Sequence, residues 1–311
     1  MNGNSAADRH HPSHGDRADV VALRTTFGTS VELMRTWYRT QSFPRHAHEY
    51  FTLGVMLQGA GTLWYRGFER LTYRGDVVVI PPGEVHTGGL ARETKVLSYL
   101  AVHVPPEVLT ACAEGQGLRG GRTPDFSSAI IRDHALSAEL RRLDVVMRAP
   151  HATSGVADSN ESAPFGQVDR AALDDALSAA IGLLVRRHSD GAPATDARAP
   201  TREPDFVRLA REIIEDCYAD NAQTSLDALA RRAGVTPFHL VRVFTLTVGL
   251  SPHRYVVQTR VRRARHFLAR GIPSSFVAAM TGFVDQSHLT VQFKRYVGTT
   301  PASYQRCVAA R

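Results

Sequence analysis

The chain has 311 residues, which suffices for one large domain or two ordinary ones, because a soluble domain takes roughly 100–200 residues. Hydrophobic residues make up 43% of the chain and charged residues 22%, a globular composition that excludes a wholly disordered protein. Apolar runs fall short of the roughly 18–20 residues that a transmembrane helix needs. The polar segment 1–19 lacks the apolar stretch of a secretory signal. Three widely separated cysteines exclude a disulfide scaffold and a thiolate zinc site, so we expect a cytoplasmic protein: Cys112, Cys217 and Cys307.

The net charge of +7 is concentrated in the last third of the chain. Residues 205–311 hold 15 Lys and Arg against 7 Asp and Glu, whereas residues 1–204 hold 22 against 23. This asymmetry favours a module that binds a polyanion, joined to a neutral module with another role. A charge excess can also be a solvated face, so the charge alone does not decide for nucleic acid.

In chain order, residues 1–19 are predicted to be a disordered tail, and residues 20–110 contain short β-type runs between Gly and Pro turns. Such runs predict a β-sandwich or a small barrel. Helical spacing follows in 127–147 and 169–188, so residues 127–188 are predicted to be a helical segment that dimerises. Residues 189–204 are a linker by composition, and the remaining chain has helical periodicity. The predicted strands are 49–57, 62–65, 77–80 and 96–104.

Two stretches near the C-terminus match each other at an offset of 49 residues. Each has the pattern His-Leu-x-x-x-Phe followed by Val-Gly-x-x-Pro-x-x-Tyr, starting at His239 and at His288. Each is preceded by a short predicted helix, 226–233 or 274–281, and a glycine. Thr236 and Asp285 are typical N-caps for the helices that follow. The pattern predicts two helix-turn-helix units joined by a helix over 252–269.

The second helix of each unit has one face suited to DNA. Leu240, Phe244, Leu289 and Phe293 recur four residues apart and are predicted to face a core. On the opposite faces, the Arg242 side chain can hydrogen-bond to a guanine, and Phe238 and Val291 can contact thymine methyl groups. The connecting helix spans roughly 27 Å. This length could place the second helices of the two units in successive major grooves, which lie about 34 Å apart. The alternative is a helical bundle that binds other proteins. The predicted DNA-binding residues are Thr236, Phe238, His239, Val241, Arg242, Gln286, Ser287, Thr290, Val291 and Lys294.

Residues 205–306 resemble the AraC/XylS family of bacterial transcription regulators. The resemblance implies a tandem helix-turn-helix that binds promoter DNA with both recognition helices, and a sensor barrel that is usually free of metal. Val241 and Val291 depart from it, because these outward positions are often polar in the family. The motifs that carry it are Ser225-Leu226-Asp227-Ala228-Leu229-Ala230, Gly249-Leu250-Ser251-Pro252, Arg262-x-x-Ala264-Arg265-x-x-Leu268 and Thr281-Gly282-Phe283-x-Asp285-Gln286-Ser287-His288-Leu289-x-x-x-Phe293-Lys294.

Histidines mark a second candidate site in the N-terminal module. His46 and His48 open a predicted strand, whose alternation lets them converge with Tyr50, and His86 ends the pattern Gly-x5-Pro-x-Gly-x-x-His. The spacing resembles the two cupin motifs, but the glutamate expected after the first pair is missing. Three histidines suffice in principle for zinc or iron. We expect instead a metal-free pocket in which these four side chains contact an effector or one another, and a plain structural role is the other alternative. We assign His103 to the core or the surface and not to the ligands.

The sequence therefore predicts an α+β, two-domain protein: an N-terminal cupin-like β-barrel (20–110) with following helices, and a C-terminal all-α tandem helix-turn-helix (205–306). The predicted function is sequence-specific transcription control, as an activator or a repressor, by a small-molecule effector. No catalytic residue, cofactor or metal is expected, since G-x-S-x-G, P-loop and dinucleotide motifs are absent from the sequence. The expected partners are double-stranded promoter DNA, the effector, a second copy of the chain and, as a candidate, RNA polymerase; no membrane is expected. The alternative is a metal-dependent cupin enzyme fused to a DNA-binding domain.

Overall fold

A computed structural model describes residues 15–24, 29–115, 123–148, 170–190 and 203–309. Within these ranges no helix is both long enough and apolar enough to cross a membrane. The predicted linker falls largely outside them, as do residues 1–14 of the predicted tail; the first strand begins at Arg17, inside the interval assigned to that tail.

The N-terminal domain contains two antiparallel sheets. The strands are β1 (Arg17–Arg24), β2 (Ser30–Trp37), β3 (Phe43–His46), β4 (Phe51–Gln58), β5 (Ala60–Tyr65), β6 (Phe68–Tyr73), β7 (Val77–Ile80), β8 (His86–Leu90), β9 (Ser98–Val104) and β10 (Ile130–Ile131). The larger sheet has the order β1-β2-β9-β4-β7-β10 and the smaller β3-β8-β5-β6. Predicted strands 49–57, 62–65, 77–80 and 96–104 correspond to β4, β5, β7 and β9.

The expected cupin-like barrel is not closed. Among the described residues no ladder of backbone hydrogen bonds joins the two sheets, and side chains of both line one cavity. The larger sheet separates this cavity from a core, because successive residues of a strand point to opposite faces. Along β9, Leu100 and Val102 lie in the core, whereas Ala101 and His103 line the cavity.

Three helices cover the outer face of the larger sheet: α1 (Pro106–Gly115), α2 (His134–Arg148) and α3 (Arg170–His188). The helix predicted to start near residue 127 begins at His134. Ile130 and Ile131 pair instead with Val78 and Val77 in the sheet. The apolar stripes of α2 and α3 are buried in the same core as the strands. These stripes are thus buried within one chain. The sequence argument for a dimer through them, which required an unburied apolar surface, therefore no longer applies.

The C-terminal domain is helical and follows the predicted boundaries closely. Thr236 and Asp285 cap their helices, and Gly249 and Gly298 end them in the left-handed conformation (φ 79° and 85°), which explains the glycine of each repeat. The connecting helix runs over 252–269 as predicted. The helices are α4 (Asp205–Cys217), α5 (Leu226–Arg232), α6 (Pro237–Val248), α7 (Pro252–Ala269), α8 (Ser274–Met280), α9 (Gln286–Val297) and α10 (Pro301–Ala309).

The two helix-turn-helix units differ in how they are packed. The first has its own core, which includes Leu240 and Phe244. The second shares a core with the N-terminal domain: Leu289 and Phe293 belong to the same buried cluster as Tyr38 of the sensor. The N-terminal domain is therefore docked mainly on the second unit and on α7.

Candidate effector cavity and DNA interface

A cavity of about 430 Å³ lies between the two sheets and the C-terminal domain. Small-molecule sites typically measure about 300–1,000 Å³, so the cavity has the size of such a site. Its walls combine polar groups with apolar surface and come from both domains. From the sensor it is lined by residues that include Glu32, Met34, His46, His48, Tyr50 and His86; from the C-terminal domain by Gln258, Val261, Arg262, Arg265, His266, Tyr296 and Tyr304.

His46, His48 and His86 come together at one end of the cavity, with one ring nitrogen of each within 4.8 Å of the others. The predicted reason was wrong: His46 ends β3, while His48 and Tyr50 lie in the turn that precedes β4, so they do not alternate along one strand. His46 instead faces His86 across the β3–β8 ladder. The turn then folds His48 back, with its ring centroid 4.7 Å from that of His46.

Hydrogen bonds to backbone carbonyls fix the tautomers of His46 and His86. His46 Nδ1 lies 2.7 Å from the carbonyl oxygen of Pro44, and His86 Nδ1 lies 3.0 Å from that of Glu84. Because a carbonyl only accepts, each Nδ1 carries the proton and each Nε2 keeps its lone pair. Burial lowers the pKa of His46 to about 4 and that of His86 to about 3. Both rings are therefore neutral at physiological pH.

Tyr50 connects this histidine cluster to His103, which the sequence analysis assigned to the core or the surface. The Tyr50 ring stacks on His48, with centroids 4.8 Å apart and planes 13° apart, and its other neighbour is His103 at 4.3 Å. His103 is 7% exposed and lines the cavity. Strand alternation along β9 places it on the face opposite Leu100 and Val102, and this signal was available in the sequence.

Arg265 of α7 extends the cluster into the C-terminal domain. Its guanidinium donates hydrogen bonds to Tyr50 Oη, to Glu32 Oε1 and to His103 Nδ1, the last at 2.9 Å. Burial opposes the charge, but the Glu32 carboxylate and the tyrosine hydroxyls raise the pKa of Arg265 well above its usual range. Tyr304 Oη donates to the other Glu32 oxygen at 2.9 Å. A permanent cation thus joins both domains inside the cavity wall.

Further polar contacts hold α7 and the second unit against the sensor. The side-chain amide of Gln258 bonds to both backbone groups of Ala47, at 2.8 and 3.1 Å. Arg262 forms a salt bridge with Glu49, with 3.0 Å between Nη1 and Oε1. Sequence reasoning missed these residues because partners more than 200 positions apart leave no periodic signal.

On α6 the structure exposes part of the predicted DNA-reading face. Thr236, Phe238 and Arg242 are exposed, and Phe238 is 78% exposed. Val241 is half-buried. His239 is also half-buried, with its ring 5.3 Å from that of Phe206, so it contributes to packing as well as to the surface.

On α9 four of the five predicted residues are exposed: Gln286, Ser287, Val291 and Lys294. Thr290 is half-buried, and its hydroxyl donates to the carbonyl oxygen of Gln286 at 2.8 Å. Its first two residues, Gln286 and Ser287, are exposed while the two domains are docked, and the N-terminal residues of a recognition helix are those that contact bases.

One arginine of the positively charged C-terminal domain is buried and stabilises the fold, so it is not available to bind DNA. Arg260 is 6% exposed and donates to the carbonyl oxygens of Tyr218 and Gly282 at 2.7 and 2.8 Å. It ties the end of α4 and the turn between α8 and α9 to α7. Part of the charge excess is therefore structural.

Comparison with known proteins agrees with this geometry. The family model of the AraC-like ligand binding domain matches residues 29–201, and that of a helix-turn-helix domain matches residues 229–306. The chain belongs to the AraC family of transcriptional regulators. In this family the helix-turn-helix domain binds DNA and the N-terminal domain binds a small-molecule effector.

Two relatives and one solved structure illustrate how much of this AraC-family chain is matched. An uncharacterized HTH-type transcriptional regulator, YbfI of Bacillus subtilis, is 28% identical over 250 residues, covering 80% of this chain and 82% of that protein. The HTH-type transcriptional activator RhaS of Escherichia coli is 22% identical over 264 residues, covering 83% and 86%. The crystal structure of an apo ToxT variant from Vibrio cholerae superposes with a TM-score of 0.50 at 10% identity, covering 96% and 100%, which shows a shared fold.

Proposed function

We propose that a small molecule bound in the interdomain cavity controls how this AraC-family regulator reads double-stranded promoter DNA. One observation carries the proposal: the cavity wall includes α7, the helix that joins the two helix-turn-helix units. An occupant of the cavity contacts that helix directly, and a differential contact is what shifts a conformational equilibrium.

The DNA side of the proposal rests on the exposed faces of α6 and α9. Arg242 is exposed and has the fork geometry that pairs with the O6 and N7 atoms of guanine. Phe238 and Val291 present apolar surface for thymine methyl groups, and Lys294 supplies charge for phosphate. The proposed DNA-binding residues are those predicted from sequence, with His239 and Val241 contributing least because they are half-buried.

The effector side rests on the polar groups at the sensor end of the cavity. His46, His48, Tyr50 and His86 all line it, together with His103. Neutral imidazoles and a tyrosine hydroxyl can donate and accept hydrogen bonds, which suits a polar effector with hydroxyl or acidic groups. The remaining apolar lining suits a carbon skeleton attached to those groups.

We propose no catalytic activity. The full-length relatives named above are regulators, which supports this, whereas an enzyme requires a reaction at the histidine cluster. Turnover of a cavity ligand by the purified protein, abolished in a His48→Ala variant, would instead favour the cupin enzyme.

A homodimer and a contact with RNA polymerase remain predictions. Light scattering of the full chain at tens of micromolar measures the first: we expect the mass of two chains, and a monomer mass contradicts it.

Genome-wide mapping of bound DNA tests the proposal most directly. We expect discrete sites, affinity for them that falls steeply with salt, and neighbouring genes whose products indicate the effector's chemistry. His48→Ala should keep operator binding in vitro and lose the effector-dependent change in transcription. A full effector response in this variant contradicts the assignment of His48, and binding without any sequence preference contradicts the function.

A further inference from the structure

We propose that a second cavity, separate from the interdomain one, binds a phosphate-bearing small molecule. It is a cleft of about 710 Å³ in the N-terminal domain, between the β6–β7 turn and α2. Among the described residues none lines both cavities, so the proposal does not rest on the proposed function. Four arginines line the cleft, which we call the arginine cleft: Arg74, Arg132, Arg141 and Arg142.

The arginine cleft uses the face of α2 that points away from the core. Leu136, Leu140 and Leu143 are buried in the core that this helix shares with the larger sheet. Ser137 and Arg141 stand four residues apart, and therefore on one side of the helix, and both line the cleft. The apolar periodicity that docks α2 on the sheet thus places an arginine-bearing face beside the β6–β7 turn.

Arg141 is more enclosed than a solvated surface arginine. It is half-buried, and its Nε–H is shielded from solvent without an acceptor among the described residues. A methyl group on Gly75 would lie 3.4 Å from Arg141 Nη2, so the guanidinium rests against the β6–β7 turn. A charged donor that lacks an acceptor costs free energy, and an anion that accepts hydrogen bonds from this guanidinium offsets the cost.

Arg74 and Arg141 also lack a carboxylate partner. Within the described ranges neither takes part in a salt bridge, because the carboxylates at the cleft pair with other arginines. These salt bridges join Arg132 to Asp76 at 3.3 Å, Arg142 to Asp175 at 2.7 Å and Arg187 to Asp133 at 3.1 Å. Uncompensated positive charge therefore remains at Arg74, which precedes Gly75 in the turn, and at Arg141, which rests against it.

Two uncompensated guanidinium groups at one turn indicate the class of ligand. The planar fork of arginine binds phosphate and carboxylate oxygens through paired hydrogen bonds. A phosphate monoester carries a charge of about −1.5 to −2 at pH 7 and three acceptor oxygens, which matches two arginines better than one carboxylate does. Val145, which is 57% exposed, and Ala138 also line the cleft and offer apolar surface to the organic part of the ligand.

Calorimetric titration of the full chain with phenyl phosphate at low ionic strength tests the site. We expect a dissociation constant below about 1 mM, since the anion gains several charge-assisted hydrogen bonds. Arg74→Gln and Arg141→Gln should each weaken this binding about 10-fold or more, because each removes a cationic donor. Arg141→Lys should weaken it less than Arg141→Gln, since lysine keeps the charge and loses the fork. Phenylmalonate, a dicarboxylate with the same ring, should bind more weakly than phenyl phosphate.

Arg70→Gln is the matched control, because Arg70 is exposed on β6, four residues before Arg74, and lines neither cavity. It should bind phenyl phosphate like the wild type. The interdomain cavity and the positively charged C-terminal domain can also take up this anion. Only the binding that Arg74→Gln and Arg141→Gln lose and Arg70→Gln keeps is therefore assigned to the arginine cleft.

Circular dichroism verifies that each variant is folded, and the exposed Arg74→Gln decides the test if Arg141→Gln is not. Equal affinity in the wild type and in the folded Arg74→Gln and Arg141→Gln variants overturns the proposal, as does the absence of binding at 10-fold above the expected dissociation constant. Phenylmalonate binding as tight as that of phenyl phosphate overturns the assignment to phosphate. Sequence-specific DNA binding is measured in parallel, and its persistence alongside a failed titration would refute the arginine cleft and leave the proposed function standing.

Discussion

Replacing Arg265 with methionine tests whether the buried ion pair couples the two domains. The substitution removes the guanidinium from Glu32, Tyr50 and His103 while keeping most of the apolar volume. The Arg265 and Glu32 side chains are only 15% and 14% exposed, so the loss leaves a buried carboxylate without its cation. Breaking such a pair from one side costs about 3–5 kcal/mol. We expect the lower end, about 3 kcal/mol, because Tyr304 still donates to Glu32.

Urea unfolding of the full chain, followed by circular dichroism, measures this cost. The double variant Arg265→Met with Glu32→Gln removes the charge from both sides and should recover most of the loss, since replacing a whole buried pair is often close to neutral. Additive effects within about 0.5 kcal/mol would show that the two groups are not coupled and would refute the reasoning. Arg265→Lys should fall between wild type and methionine, because one ammonium does not reproduce the planar fork that reaches Glu32, Tyr50 and His103 together.

Three further predictions concern the two domains separately. Arg242→Ala should cost roughly 1–3 kcal/mol of DNA-binding free energy and relax base preference at one position, measured by selection from a random DNA library; uniform weakening would make Arg242 a phosphate contact. Phe244→Ala should destabilise the fold by about 3–5 kcal/mol in urea unfolding, whereas the exposed Phe238→Ala should change it by less than about 0.5 kcal/mol; equal losses would contradict the assigned core. His188 Nε2 lies 2.9 Å from Asp133 Oδ2, and this hydrogen bond lowers the pKa of Asp133 in the folded state. The stabilisation by the Asp133 carboxylate is therefore complete above the unfolded pKa of about 3.9 and is lost as the pH falls through the lower folded pKa. Thermal midpoints should therefore favour wild type over Asp133→Asn at pH 6 and converge in strong acid, and a gap that widens in acid would reverse the sign.

The tandem helix-turn-helix could be predicted closely because its signals are local. Caps at Thr236 and Asp285, and glycines at the helix ends, act within a few residues, so the bounds of α7 follow from sequence. The sheets depend on pairing between distant strands. Ile130 and Ile131 have helical spacing with the residues that follow, yet they join β7 because the sheet offers them backbone partners.

The sequence predicts which histidines lie together but not how the backbone brings them together. A motif spacing brings His46, His48 and His86 together on paper, but a turn, and not strand alternation, does so in the fold. Arg265 belongs to a helix of the DNA-binding domain, and no pattern within that helix indicates that its guanidinium enters the sensor cavity. Only the docking of the domains reveals it.

A cavity with walls in two domains exists only while those domains are docked. An effector then binds with its intrinsic dissociation constant divided by the docked fraction, and it stabilises docking in return, by about 2.7 kcal/mol at 100 times its dissociation constant. Docking fixes the second helix-turn-helix unit, whose core contains Tyr38, and places Val85 beside Gly249 at the end of α6 in the first unit. Operators whose half-site spacing matches the docked arrangement would gain affinity with the effector, and operators that require the units to separate would lose it. Whether the effector activates or represses a given promoter would then depend on the spacing of the operator half-sites and not on the chemistry of the cavity.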